Sequence, residues 1–162
     1  MTDAPLHAEG ITLLGDLIGG RRVAMLTTRT VDGGLASCPH ALPERAFDGS
    51  LWFISRADAP QVADIEADPL VNVSLSDGTA LSLNGRALIS DDPQLKRRAW
   101  DDVMAQWFGC GPDDPALVLI IVEVLAAEYW ELPGRPPTLI PLVRDVVDVG
   151  RPALDGDEEL SD

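Results

Sequence analysis

The chain has little or none of several residue types and patterns, and each scarcity argues against a class of protein. It contains two cysteines, Cys38 and Cys110, in 162 residues, too few for a disulfide framework. Lys and Arg number 12 against 27 Asp and Glu, and the net charge of −15 opposes binding to nucleic-acid backbones and anionic lipid surfaces. The sequence shows no apolar run of membrane-spanning length and no signal-peptide pattern at its start. We therefore expect a cytoplasmic protein with free thiols that binds neither nucleic acid nor membrane.

Familiar catalytic and metal-binding patterns are also missing from the sequence. Cys38 and His40 are two residues apart, but no second Cys/His pair accompanies them, so no metal is expected. The sequence lacks a Gly-x-Ser-x-Gly elbow, a Gly-x-x-x-x-Gly-Lys phosphate loop and paired histidines on a helix. The catalytic residues therefore stay unknown at this stage.

Short extended runs separated by turn residues dominate the middle of the chain. Strands are predicted at 23–28, 35–42, 51–54, 70–75, 80–89 and 117–126, with Tyr129-Trp130 extending or pairing with the last. Asp32-Gly33 is a hairpin signal, Pro39 favours an edge strand, and Gly85 indicates a bend. Six strands joined in this way favour a mainly β, α+β protein with a six-stranded antiparallel barrel over a parallel sheet.

Helical patterns lie before, between and after these strands. A first helix is predicted from about Ile11 to Gly19, with the residues before Gly10 loosely held. A short helix should begin with Asp58 as its N-cap, and one longer helix should begin at Pro93 and end just before Gly109. We predict a domain at 1–134 and a C-terminal extension at 135–162, partly packed on the barrel and ending in an acidic tail. Residues 142–149 fit either a helix or a strand.

The ordered set of motifs resembles the pyridoxamine-phosphate-oxidase-like split-barrel family, and most closely its general stress protein 26 branch. The likeness covers about residues 11–130, and no single motif in it is specific. The matching segments are Val23-Ala24-Met25-Leu26-Thr27-Thr28, Phe47-Asp48-Gly49, Leu51-Trp52-Phe53, Asp68-Pro69, Val71-Asn72-Val73-Ser74, Trp107, Gly111-Pro112-Asp113-Asp114-Pro115 and Ala127-Glu128-Tyr129-Trp130.

This resemblance implies a homodimer that binds flavin mononucleotide (FMN) in a cleft between subunits. The cofactor-binding residues that it implies are Ser37, Cys38, Pro39, His40, Phe53, Ser55, Arg56, Gln61 and Trp130. His40 is either a hydrogen-bond donor at the flavin edge or a strand histidine without a role. Cys38 is either a reactive thiol or a small buried filler. Trp130 either seals the cleft or packs in the barrel.

The usual phosphate-binding cations of that branch are absent at the matching positions. Ala36 and Cys38 stand where arginines are usual, and Ala59 and Gln61 stand where a serine and a lysine are usual. Because a neutral hydrogen bond has roughly half the strength of a charge-assisted one, we expect a weakened hold on phosphate. Ser55 with Arg56, or the start of the helix after Asp58, offers a compensating contact.

Two main functional hypotheses follow from these features, together with a third, weaker one. The first is an FMN-binding redox protein of the general stress protein type, which would be an FMN-dependent oxidoreductase if it is an enzyme. The second is a non-enzymatic split-barrel dimer that has lost flavin and acts as a stress-response or binding module. The third is a related cleft for another planar cofactor, such as a deazaflavin or haem.

Overall fold

A computed structural model describes residues 3–142, with side chains from residue 8 onward. In chain order the helices are α1 (Asp3–Ile18), α2 (Pro60–Ala67), α3 (Pro93–Ala99) and α4 (Asp102–Phe108). The strands are β1 (Val23–Arg29), β2 (Leu35–Ala41), β3 (Ser50–Arg56), β4 (Leu70–Leu75), β5 (Ala80–Ser90), β6 (Leu117–Trp130) and β7 (Thr138–Pro141).

The strands form one antiparallel sheet that curls without closing. The hydrogen-bonded order is β2-β1-β4-β5-β6-β3, and β7 pairs with β6. The two end strands, β2 and β3, approach each other without pairing, and the ring of His40 on β2 meets the ring of Phe53 on β3 with centroids 5.4 Å apart. The predicted antiparallel split barrel is confirmed, with seven strands in the described residues where six were predicted.

The main core fills the inside of this barrel, and a second core lies outside it. Phe53, Leu83 and Ile120 belong to the inner cluster, whereas Trp52 and Leu119 belong to the outer cluster beneath α3 and α4. β3 is therefore buried on both faces, and β6 is buried on both faces over its first residues. Burial on two faces explains why these segments read as continuous apolar runs rather than as alternating ones.

Gly85 lies where β5 changes register against β6. The register shifts between Asn84 and Gly85, which confirms the predicted bend. A Cβ at this position would lie 2.5 Å from Val122 Cγ1 and 2.7 Å from the carbonyl oxygen of Glu123. The close approach of the two backbones at the bulge therefore requires glycine.

The prediction of one long helix between Pro93 and Gly109 is wrong, because two helices occupy that segment. α3 ends at Ala99, and Asp101 begins α4 by accepting hydrogen bonds from the N–H groups of Val103 at 3.0 Å and Met104 at 3.2 Å. A carboxylate that caps the next three residues competes with continuation of the preceding helix. The apolar spacing runs through the break because both helices cover the same outer core.

The other helix boundaries also differ from the predicted ones. α1 begins at Asp3, so residues 3–9 are helical rather than loosely held. Ala59, not Asp58, is the N-cap of α2, and it makes no side-chain capping bond. β7 adds a strand after Gly134, and its Ile140 reaches the inner core. The domain boundary at 134 stays a prediction, and residues 143–149 of the predicted helix or strand lie outside the described residues.

Candidate functional site

A cleft lies at the opening between β2 and β3, next to the start of α2. Its volume is about 420 Å³, within the roughly 300–1,000 Å³ typical of ligand pockets. The lining residues are Pro39, His40, Ala41, Ile54, Ser55, Arg56, Asp58, Ala59, Pro60, Gln61, Trp107 and Phe108. The split in the barrel thus brings together five of the nine predicted site residues: Pro39, His40, Ser55, Arg56 and Gln61.

His40 is the buried polar centre of this cleft. Its Nδ1 lies 3.4 Å from the carbonyl oxygen of Cys38, and its Nε2 lies 3.2 Å from Nε2 of Gln61. A carbonyl only accepts, so Nδ1 carries the proton and Nε2 accepts from the Gln61 amide. Burial lowers the pKa of His40, and the bond to the Cys38 carbonyl only partly opposes that effect. The imidazole is therefore neutral near neutral pH.

The contact with His40 orients the amide of Gln61. Because the NH₂ group faces the imidazole, Oε1 of Gln61 is left as an acceptor on a half-buried side chain. Gln61 is the second residue of α2, so the position of that helix decides where its amide lies.

Asp64 holds α2 against the β1–β2 hairpin, and sequence reasoning missed it. Its carboxylate is 5% exposed and accepts hydrogen bonds from Thr28 Oγ1 at 2.9 Å and from the Val31 N–H at 3.2 Å. The signal available in the sequence was an acidic residue one helical turn after Gln61, between the apolar Val62 and Ile65. Asp64 is therefore a positioning residue for the start of α2.

Ser55 and Arg56 end β3 at the rim of the cleft and differ in exposure. Ser55 is 3% exposed, and its hydroxyl donates to the carbonyl oxygen of Arg56 at 3.3 Å. Arg56 is exposed, and none of the ion pairs between described residues involves it. Asp58 lines the same cleft, so one cation and one anion face its opening.

Asp114 brings a second carboxylate into the field of Arg56. The pKa of Asp114 is lowered mainly by the hydrogen bond from the Ala116 N–H, and the positive charge of Arg56 makes a smaller contribution in the same direction. The loop that carries Asp114 is held by Lys96, whose buried ammonium donates to the carbonyl oxygens of Asp114 at 3.3 Å and Leu117 at 3.0 Å. The positive charge of Arg56 is thus shared with nearby carboxylates.

The remaining predicted residues lie beside the cleft or away from it. Cys38 is half-buried, with Sγ 3.7 Å from His40 Nδ1, and burial with the charge of Asp64 raises the pKa of its thiol. Ser37 is exposed and bonds to Thr27. Phe53 contacts the His40 ring from inside the barrel. Trp130 is the last residue of β6 and pairs with Ala80. At ~3.3 Å per residue, it lies about 40 Å along the strand from Leu117, the first residue of β6.

Two aromatic residues of α4 line the cleft and were not predicted as site residues. Trp107 is 49% exposed although it is a large apolar side chain, and Phe108 follows it directly. The sequence favoured a core or dimer-interface role for Trp107. In the structure Trp107 lies at the cleft outside both cores, whereas Phe108 lines the cleft and also packs against the outer core.

A second cavity of about 350 Å³ lies between the end of α1 and the segment after β2. Arg22 contacts Asp101 at 3.0 Å, and Arg45 contacts Asp48 at 3.2 Å while its guanidinium lies 4.0 Å from the centre of the Trp52 ring. Arg21 also lines this cavity and lies 3.5 Å from Asp77, and its buried Nη1 has no hydrogen-bond partner among the described residues. The charges of the lining arginines are thus largely balanced by neighbouring carboxylates.

Two features are absent from the described part of the chain. No group of three or more His, Cys, Asp or Glu within that part is arranged to hold a metal ion. No helix within it is long and apolar enough to cross a membrane.

Comparison with known proteins gives relatives for both the sequence and the fold. The chain is 26% identical over 141 residues to the protein bli-3 of Neurospora crassa, covering 79% of this chain and 67% of that protein. The crystal structure of General Stress Protein 26 from Bacillus anthracis str. Sterne matches with a TM-score of 0.66 and 26% identity, covering 83% of this chain and 97% of that one.

A Clostridium acetobutylicum protein related to general stress protein 26 matches in fold, with a TM-score of 0.71 and 14% identity over 83% of this chain and 95% of that one. A family model, pyridoxamine 5'-phosphate oxidase like, matches residues 9–150. The resemblance read from the motifs is confirmed by these matches. The open antiparallel barrel and the sequence match together show that the chain belongs to the pyridoxamine 5'-phosphate oxidase-like family.

Proposed function

We propose that this chain is a flavin-binding redox protein that works as a homodimer, with the ligand in the cleft beside His40. The observation that carries the proposal is the neutral His40–Gln61 pair, which presents an oriented amide to a cleft of ligand size. Preformed clefts with a few oriented polar groups and mostly apolar walls are typical of cofactor sites. FMN is the cofactor that the family resemblance implies.

The neutral groups of the cleft suit the uncharged parts of a flavin. Gln61 Oε1 accepts a hydrogen bond from a hydroxyl or ring N–H, and Ser55 adds a buried hydroxyl oxygen. Trp107 and Phe108 supply aromatic surface that packs on a planar ring and excludes water from it. When bound, a flavin supplies the hydride or electron chemistry, while these residues bind and orient it.

The proton on His40 is held by the protein rather than offered to a ligand. Nδ1–H points to the Cys38 carbonyl and Nε2 is occupied by Gln61, so the imidazole acts through Gln61. We therefore assign His40 as a positioning residue, and Gln61 as the residue that contacts the ligand.

The phosphate of FMN does not fit the charges of the cleft. Arg56 is the single cation among the described lining residues, and Asp58 lines the cleft beside it. This mismatch favours a second candidate function, a split-barrel dimer that has lost flavin and serves as a non-enzymatic stress-response or binding module.

A titration separates the two functions. Purified protein is titrated with FMN and with riboflavin, and binding is followed by flavin fluorescence and by calorimetry. We expect saturable binding that Gln61→Ala weakens at least about tenfold, the equivalent of ~1.4 kcal/mol. Gln94→Ala, an exposed glutamine on α3, is the matched control and should leave binding unchanged. A protein that binds neither flavin would reject the first function and leave the second.

The role of Arg56 is tested separately. If Arg56 replaces the absent phosphate-binding cations, Arg56→Ala weakens FMN binding and leaves riboflavin binding unchanged, because only FMN carries the phosphate. Equal dissociation constants for FMN in the variant and the parent would reject that assignment.

A further inference from the structure

The polar end of the cleft is close to electrically neutral. Among the residues that the structure describes, Arg56 is the one Lys or Arg that lines the cleft, and Asp58 is the carboxylate that lines it. Asp114 lies close enough to Arg56 for the two charges to interact. A ligand phosphate would meet one guanidinium, whose charge also acts on Asp114, and one lining carboxylate. A group bearing roughly two negative charges is poorly matched to that set.

The start of α2 compensates only in part, because not all of its first residues offer a free backbone donor. Pro60 has no N–H, and Val62 donates to the carbonyl oxygen of Ala59 at 3.0 Å, while the N–H of Ala59 before the helix donates to the carbonyl oxygen of Arg56 at 3.1 Å. Anion sites at helix starts depend on several free N–H groups that converge on the ligand. The compensation considered for the segment after Asp58 is therefore reduced.

The polar side chains left in the cleft are neutral hydrogen-bonding groups. Gln61 presents Oε1, the Ser55 hydroxyl oxygen lies at the end of β3, and the imidazole of His40 is uncharged. Such groups match hydroxyls, which both donate and accept, better than they match a dianion. The net charge of −15 on the chain adds a general repulsion of anions.

From this charge pattern we propose that the cleft selects an uncharged flavin, with a ribityl chain that ends in a hydroxyl, over the phosphorylated FMN. The proposal rests on the flavin-binding function and concerns which flavin the same site takes. Gln61 and Ser55 bind the hydroxyl chain, while Asp58 disfavours a terminal phosphate. Riboflavin is the probe for the favoured class.

The main experiment compares riboflavin and FMN by isothermal titration calorimetry at low and high salt. We expect riboflavin to bind at least about tenfold more tightly at low ionic strength, the equivalent of ~1.4 kcal/mol. Salt screens charge repulsion over a Debye length of about 10 Å at 0.1 M, so FMN affinity should rise with salt while riboflavin affinity stays constant.

Paired variants assign the selectivity to the cleft. Asp58→Asn removes a lining carboxylate and should raise FMN affinity several-fold without changing riboflavin affinity. Asp91→Asn makes the same change in net charge at an exposed residue outside the cleft and should change neither. Gln61→Lys adds a cation and should reverse the preference, with Gln94→Lys as its control. Unchanged riboflavin binding in Asp58→Asn shows that the cleft is still folded.

Each outcome decides the proposal. A riboflavin preference that salt and Asp58→Asn both reduce supports it. FMN binding that equals or exceeds riboflavin binding overturns the selectivity and leaves the flavin-binding function standing. Binding of neither flavin overturns both.

Discussion

Replacing Asp64 with alanine tests how α2 is held beside the cleft. The buried carboxylate accepts two hydrogen bonds, from Thr28 Oγ1 and from the Val31 N–H. Hydrogen bonds to a charged group contribute about 1.5–3 kcal/mol each, and the variant leaves the Thr28 hydroxyl, 2% exposed, without its acceptor. We expect the free energy of unfolding to fall by about 3–5 kcal/mol, a large share of the ~5–15 kcal/mol typical of a domain.

Urea denaturation followed by circular dichroism measures this loss. Asp64→Asn keeps an acceptor for Thr28 but turns a donor toward the Val31 N–H, so its loss should be intermediate. Glu66→Ala, an exposed residue of the same helix, should change stability by no more than about 0.5 kcal/mol. A double-mutant cycle with Thr28→Val isolates the direct pair. If Asp64→Ala costs less than about 1 kcal/mol, the proposed anchoring of α2 is refuted.

Three further predictions concern the bulge, the imidazole and the thiols. Gly85→Ala places a Cβ 2.7 Å from a carbonyl oxygen and should lower the free energy of unfolding by about 3 kcal/mol. Gly111→Ala is the control, because a Cβ there has no atom within 4 Å, and it should be nearly neutral. Similar losses of stability for the two variants would contradict the close packing at Gly85. Burial lowers the pKa of His40, so the unfolded chain takes up the proton first and stability should fall as pH drops below 6.5, a slope that His40→Asn removes; an NMR titration with a pKa above 6.5 would overturn this. Burial is the main cause of the raised thiol pKa of both Cys38 and Cys110. Both thiols should therefore react slowly with iodoacetamide at pH 7, and fast labelling of either would contradict this prediction.

The strands were predictable because their signals are local. The hairpin that Asp32-Gly33 indicated joins β1 and β2, with Leu35 opposite Arg29 across the loop at 30–34, and Pro39 lies on an edge strand. Gly85 marked the bulge for the same reason, since glycine within a strand indicates a close backbone approach. These features depend on a few neighbouring residues and not on the rest of the fold.

The break between α3 and α4 was missed because two signals competed at one residue. The apolar spacing across Ala99 and Met104 is that of a single helix, since both side chains face the outer core. Asp101 accepts from three backbone N–H groups, one of them that of Glu44, and also pairs with Arg22 just before β1, which gives it a role beyond a surface acid. That long-range contact is invisible to a local pattern.

The sequence by itself determined the family, the succession of strands β1 to β6 along the chain and the neutral residues at the start of α2. Turn residues, alternation and the identities of Ala59 and Gln61 are properties of the chain before it folds. Tertiary structure decided which side chains meet: Gln61 with the His40 imidazole, Asp64 with Thr28, and Trp107 with the cleft. Those contacts join residues from 21 to 36 positions apart in the first two cases, and they form only when the barrel curls and α2 lies across its opening.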